Sequence, residues 1–140
     1  MGRRRAREIA LQVLFQVDLV DAEPFRALEY LLIENPISDE MAAFAHSLIN
    51  GTLDHLLEID DYITQYSIEW DLSRMASVDR NILRLGLFEM LYYQSTPLNV
   101  AINEALELAR LFSDEEAPRF INGILGKIAK ENNTDPGSTQ

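Results

Sequence analysis

Four arginines, Arg3, Arg4, Arg5 and Arg7, stand within five residues of one another at the start of the chain. A guanidinium is planar, permanently charged and able to meet a phosphate through two N–H groups at once, so the cluster suits a polyanion. The same residues also read as a solvated basic end that keeps the chain soluble. Near the other end, Ile121, Ile124, Leu125 and Ile128 make the apolar stripe of a predicted helix. Arg119, Gly123, Lys127 and Lys130 fall on its other side, and Phe120 lies at the border. An aromatic face beside cations and a bare glycine is what a single-stranded nucleic acid needs for stacking and phosphate contact. A core phenylalanine beside solvated lysines has the same spacing, so both readings stand.

Residues for catalysis or metal binding are poorer. There is no cysteine, which removes thiol chemistry, disulfides and zinc–thiolate sites. His46 and His55 lie nine apart on a predicted long helix, about 13 Å at ~1.5 Å rise per residue, too far to share an ion. They read as packed or surface histidines. Asp60-Asp61 and Asp114-Glu115-Glu116 are adjacent acids that point in different directions on a helix, and the second run suits a helix start. No glycine-rich phosphate loop, nucleophile elbow or Glu-x-x-His pair is present. The chain is therefore expected not to be an enzyme and to use neither cofactor nor metal.

The elements that must position these residues are helical. The 140 residues are 47% hydrophobic and 25% charged, the balance of one globular domain. Twelve Lys and Arg against 23 Asp and Glu give a net charge of −11, yet no Lys or Arg occurs from Ala27 to Ser73. An acidic body thus carries a basic end. In the first helix Ala6, Ile9, Ala10, Val13, Val17 and Val20 form one stripe, and Leu11, Phe15 and Leu19 form a second in line with Arg4. Apolar residues on two faces suit a central helix. The monomer core is the leading reading of the second stripe, and a stripe left partly open for a partner, such as a second copy in a homodimer or RNA, is the alternative.

Pro24 suits the first turn of a second helix that Asn35-Pro36 ends, and Ser38 caps a third with Asp39 and Glu40 behind it. That third helix is predicted to run through Ile63 with a bend at Gly51. Ser67 to Ala76 reads as a connector with a short helical turn around Trp70. Ser77 is expected to cap the next helix, which stops before Thr96-Pro97. A helix from Asn99 carries Ala101, Ala105 and Ala109 as a small-residue stripe, and Pro118 opens the last one. No alternating β-branched run occurs, so the class is all-α. The expected organisation is a single helical domain over 1–131, with an arginine-rich arm at 1–8 and a polar, disordered tail at 132–140.

The start could pass for a targeting signal, but Gln12, Gln16 and Asp18 interrupt its apolar stretch and no small-residue cleavage site follows. Ala6 stands where myristoylation needs Ser or Thr, and no stretch suits a membrane-spanning helix. A cytoplasmic, membrane-free protein is expected.

Four blocks in order, RRRAREIALQVLFQ, VDRNILRLGLFEML, VAINEALELA and RFINGILGKIA, span Arg3 to Lys130. Together they resemble the NusB family of bacterial transcription antitermination factors. The resemblance implies a compact bundle of about seven helices in two packed subdomains. It further implies binding of single-stranded boxA-type RNA from ribosomal RNA leaders together with the small-subunit ribosomal protein NusE, within an antitermination complex of RNA polymerase and other Nus factors. Carried over by residue, the RNA-binding set is Arg3, Arg4, Arg5, Arg7, Phe15, Phe120, Asn122, Gly123 and Lys127, and Asp79 falls on the ribosomal-protein side. A related helical domain fronts some ribosomal RNA cytosine methyltransferases, ahead of a large nucleotide-cofactor domain; since the chain ends ten residues after Lys130, it reads as a stand-alone domain. A protein-only interaction module is the third reading, and the arginine cluster argues against it. Four phosphate-facing arginines predict a salt slope near −3, from roughly −0.7 per phosphate on single strands.

Overall fold

The computed structural model describes residues 2–68 and 70–132. Most of the expected tail thus lies outside the described residues. Among them there are seven α-helices, one 3₁₀ turn and no strand. The helices are α1 (Gly2–Val20), α2 (Pro24–Glu34), α3 (Asp39–Asp54), α4 (Leu56–Tyr66), α5 (Ser77–Leu91), α6 (Leu98–Phe112) and α7 (Ala117–Asn132). They fall into two compact units, Met1–Asp54 and His55–Gln140. No helix is long and apolar enough to cross a membrane, among the described residues.

In the first unit α1 packs on both α2 and α3. Its two apolar stripes explain this: Ala6, Ile9, Ala10 and Val13 are fully buried, and so is nearly all of Leu11 on the other face. Both stripes surface toward the end of the helix, with Phe15 half-buried, Leu19 exposed and Val20 71% exposed. Gly2 starts α1 hard against α3, because a Cβ there would lie 2.7 Å from Met41 Cγ. Asp21, with φ 56°, reverses the chain after α1. Glu23 then caps α2 by accepting the N–H groups of Phe25 and Arg26, with Pro24 in the first turn. Ser38 Oγ accepts the Met41 N–H at 3.1 Å and so caps α3, as its sequence context predicts.

The second unit is built around α5, which touches α4, α6 and α7 and buries Ile82, Leu83, Leu85 and Leu87. Gly86 permits this closeness: a Cβ there would meet Leu125 Cδ1 at 3.1 Å and Ala105 Cβ at 3.3 Å. The stripe of Ala101, Ala105 and Ala109 is buried, as small residues at a close helix crossing should be. Arg84 pairs with both carboxylate oxygens of Asp60, at 2.8 and 3.0 Å, joining α5 to α4. Asp60 is thus a structural ion-pair partner, and its neighbour Asp61 accepts from Gln65.

Two boundaries differ from the sequence expectation. The long helix breaks at His55 and not at Gly51. His55 stacks on Tyr92 at 4.0 Å and bonds Glu58 at 3.0 Å, and its carbonyl opens α4 by accepting the Ile59 N–H at 2.9 Å. Ser77 is the first helical residue of α5; the capping position falls on Ala76, which makes no side-chain cap bond, and Asn81 donates to the Ser77 carbonyl. The other end of α5 lies where expected: the helix stops at Leu91, before Thr96-Pro97, and Thr96 Oγ1 donates to the buried Glu89 carboxylate at 2.8 Å.

Candidate nucleic-acid interface

The arginines expected as an arm are the opening turns of α1. Arg3, Arg4 and Arg5 are exposed. The Arg3 guanidinium lies 4.3 Å from the centroid of the Phe44 ring, a cation–π contact that fixes the side chain against α3. Arg5 donates to Glu8 at 2.6 Å and to the Asn35 side chain. Arg7 is different. It is only 4% exposed and sits 5.3 Å from the same Phe44 ring, so it packs the helix rather than facing solvent. The sequence cannot separate it from its three neighbours, because burial depends on α3.

The first turn of α1 holds no acidic residue. A helix N-terminus carries about half a positive charge, and cations there are disfavoured by roughly 0.3–1 kcal/mol each. An arriving phosphate reverses the sign of that interaction, because the backbone N–H groups of a helix start point toward an anion placed there.

On α7 the wheel reads true. Ile121, Leu125 and Ile128 are fully buried, Phe120 is half-buried, and Asn122, Gly123 and Lys127 are exposed. A Cβ built on Gly123 meets nothing within 4 Å, so this glycine leaves open backbone on the solvent side.

Phe120 and Asp79, which the resemblance assigns to different partners, line one cavity of about 280 Å³. Trp70, Arg74, Met75 and Ala117 share its wall, and Asp114 and Glu116 stand with Asp79 as its acidic groups. Two of these carboxylates are held in place. Asp79 accepts from Ser113 Oγ at 2.5 Å, and Asp114 accepts from the N–H groups of Glu116 and Ala117 at 3.1 Å each. The sequence reading left Trp70 and Arg74 out of the site. The missed signal was the chain's one tryptophan standing in a polar connector.

The histidines fit the expectation of packed or surface residues: exposed His46 stacks on Phe25 at 4.4 Å, and half-buried His55 stacks on Tyr92. Glu58 is held below its ordinary pKa by hydrogen bonds, first from His55 and then from Tyr92. Burial, and then the bond to Glu58, push the Tyr92 hydroxyl up to about 12. Among the described residues no three His, Cys, Asp or Glu side chains converge as a metal site.

Comparison with known proteins places these features in context. The NusB family profile matches residues 4–130. The transcription antitermination protein NusB of Desulforamulus reducens is 53% identical over 128 residues, covering 91% of this chain and 90% of that one. NusB of T. maritima superposes with a TM-score of 0.85 at 38% identity, over 92% of this chain and 91% of the other. A crystal structure of antitermination factors NusB and NusE in complex with dsRNA aligns with a TM-score of 0.85 at 29% identity, over 93% and 97% of the two chains.

Proposed function

Because the chain belongs to the NusB family, we propose that it is an RNA-binding transcription antitermination factor that takes boxA-type RNA of ribosomal RNA leaders jointly with NusE. It works within the antitermination complex on RNA polymerase, in the cytoplasm where the transcript is made. It performs no catalysis. The observation that carries this reading is the exposed trio Arg3, Arg4 and Arg5 on a helix start with no acid in its first turn. A polyanion turns an unfavourable concentration of positive charge into a favourable one.

The aromatic half of the interface is Phe120, with Asn122, Gly123 and Lys127 beside it on α7. Phe120 offers a face for a base, Lys127 a cation for phosphate, and Gly123 leaves room for a close strand. Phe15, half-buried on α1, adds an aromatic edge to the arginine helix. Asp79 belongs to the surface that meets NusE, where its negative charge complements a basic partner. With Leu11 buried, Phe15 and Leu19 are what the second stripe of α1 offers to RNA or to a second copy.

A titration of boxA-type single-stranded RNA across a salt series, with and without NusE, tests the reading. Burial of Arg7 leaves three arginines and Lys127 for phosphate, so log K falls with log salt with a slope of about −3, from roughly −0.7 per phosphate. A slope near zero in both arms overturns it.

A further inference from the structure

We infer that the cavity walled by Trp70 and Phe120 receives one unpaired nucleobase and favours a base bearing an exocyclic amine over uracil. The inference rests on the RNA-binding reading above and names what that site selects. At about 280 Å³ the cavity sits at the small end of ligand pockets, which begin near ~300 Å³ and take compact ring systems there. Its apolar wall is Trp70, Met75, Ala117 and Phe120.

Trp70 is 51% exposed, an unusual amount of indole to leave in water. Its backbone is nonetheless tethered on both sides. The Trp70 carbonyl accepts from Ser67 Oγ at 2.8 Å, and the Leu72 carbonyl accepts from Arg80 at 3.0 Å. An exposed aromatic on a fixed connector is a stacking surface formed before the ligand arrives.

The charged groups decide which part of the RNA enters. Asp79, Asp114 and Glu116 oppose the single guanidinium of Arg74, so a phosphate is repelled from the interior. A base is not. With Asp79 assigned to NusE, Asp114 and Glu116 are left for the base: an ionised carboxylate accepts and never donates, and it pairs with the amino groups of cytosine, adenine or guanine. Uracil has no exocyclic amine: its one donor on that edge, N3–H, is flanked by two carbonyl oxygens that meet the carboxylates oxygen to oxygen. Arg74 then supplies a cation for the phosphate flanking the inserted base. A basic side chain of NusE is the rival occupant on grounds of charge. The paired aromatic walls, and the placement of Phe120 on the helix that carries Asn122, Gly123 and Lys127, favour the base.

The experiment uses the full chain with NusE and boxA-type RNA carrying an abasic site at each position in turn. Labelled-RNA anisotropy reads binding, and emission of Trp70, the chain's only tryptophan, reads cavity occupancy. The expected result is quenching on RNA binding that one abasic position abolishes. Affinity at that position falls roughly five- to 150-fold, the range for one lost stacked base. Uridine there behaves much like the abasic site, while cytidine or a purine keeps both signals. Trp70→Leu weakens RNA binding by the same factor with its melting temperature unchanged, and Trp70→Phe restores most of the loss.

Full RNA affinity in Trp70→Leu, with no quenching in the parent, overturns the cavity and leaves RNA binding standing. Quenching by NusE alone overturns it in favour of a protein side chain. Equal tolerance of uridine overturns the role of the carboxylates. Absence of RNA binding by anisotropy overturns the parent reading and the inference with it.

Discussion

The two helical units present their chemistry in different forms. The first offers charge: Arg3, Arg4 and Arg5 stand on the opening turns of α1, with Phe44 beneath Arg3. The second offers shape and aromatic surface: Phe120 and Trp70 line a cavity whose ionised groups are mostly acidic. Charge attracts any phosphate and fades with salt, whereas stacking acts on bases and persists. Division of labour follows. In the proposed RNA-binding reading, the first unit supplies most of the affinity without sequence information, and the second supplies discrimination that a cationic surface cannot give.

Replacing Arg3, Arg4 and Arg5 by alanine together tests the first half most severely. The share of the slope carried by these three arginines, about −2, amounts to roughly 100-fold between 0.1 M and 1 M salt, from ~0.7 per phosphate. The triple variant should lose about that much affinity at 0.1 M and almost none at 1 M, as read by RNA titration. Loss that is equal at both concentrations would mean the arginines hold the fold rather than the phosphates.

Phe120→Ala should behave in the opposite way. Affinity drops roughly five- to 150-fold at every salt concentration, and the slope stays the same. Because Phe120 is only half-buried, its melting temperature should fall by less than the ~3–5 kcal/mol cost of a fully buried aromatic implies. A strongly destabilised protein whose folded fraction binds RNA normally would place Phe120 in the core after all.

The third prediction separates protein from RNA contacts in the second unit. Asp79→Lys should slow association with NusE at low salt, while far-ultraviolet circular dichroism is unchanged. It also removes the acceptor of the Ser113 hydroxyl, so a small drop in melting temperature accompanies it. Unaltered association kinetics would take Asp79 out of the interface.

The smallest effect concerns Tyr92, in the same unit but outside the cavity. Its folded-state pKa is raised, to about 12 from an ordinary 10.0. The neutral phenol is therefore favoured by folding, and its contribution is complete below pH 10 and is lost as pH rises toward about 12. Tyr92→Phe should flatten that alkaline decline in denaturant unfolding and leave RNA binding at neutral pH intact. Glu58 acts at the other end of the scale: its lowered pKa means a contribution present above about 4.5 and lost on acidification.

What could be read in advance was whatever repeats locally. The double stripe of α1, the Ser38 cap, Pro24 in the first turn of α2 and the alanine stripe of α6 are all visible within a few turns of sequence, and each lies where its spacing says. The break at His55 was hidden, because residues on both sides keep helical periodicity and the partner that holds the ring, Tyr92, lies far along the chain. Burial of Arg7 was hidden for the same reason, since Phe44 is on another helix. The cavity joins residues 70–79 to 114–120, two segments with no pattern in common. Its phenylalanine was marked by the rest of α7, but nothing near Trp70 marks the tryptophan.

That the arginines stand on a formed helix has a kinetic consequence. A flexible basic arm that orders on its ligand loses about 1–2 kcal/mol of backbone entropy per residue at the moment of contact. Here Gly2 is wedged against Met41 and Arg3 rests on Phe44, so that loss occurs once, during folding. Association then resembles the docking of two preset surfaces, steered by charge and independent of any folding step. Different RNA sequences should reach this protein at nearly the same rate and leave it at different ones, so recognition is expressed as residence time.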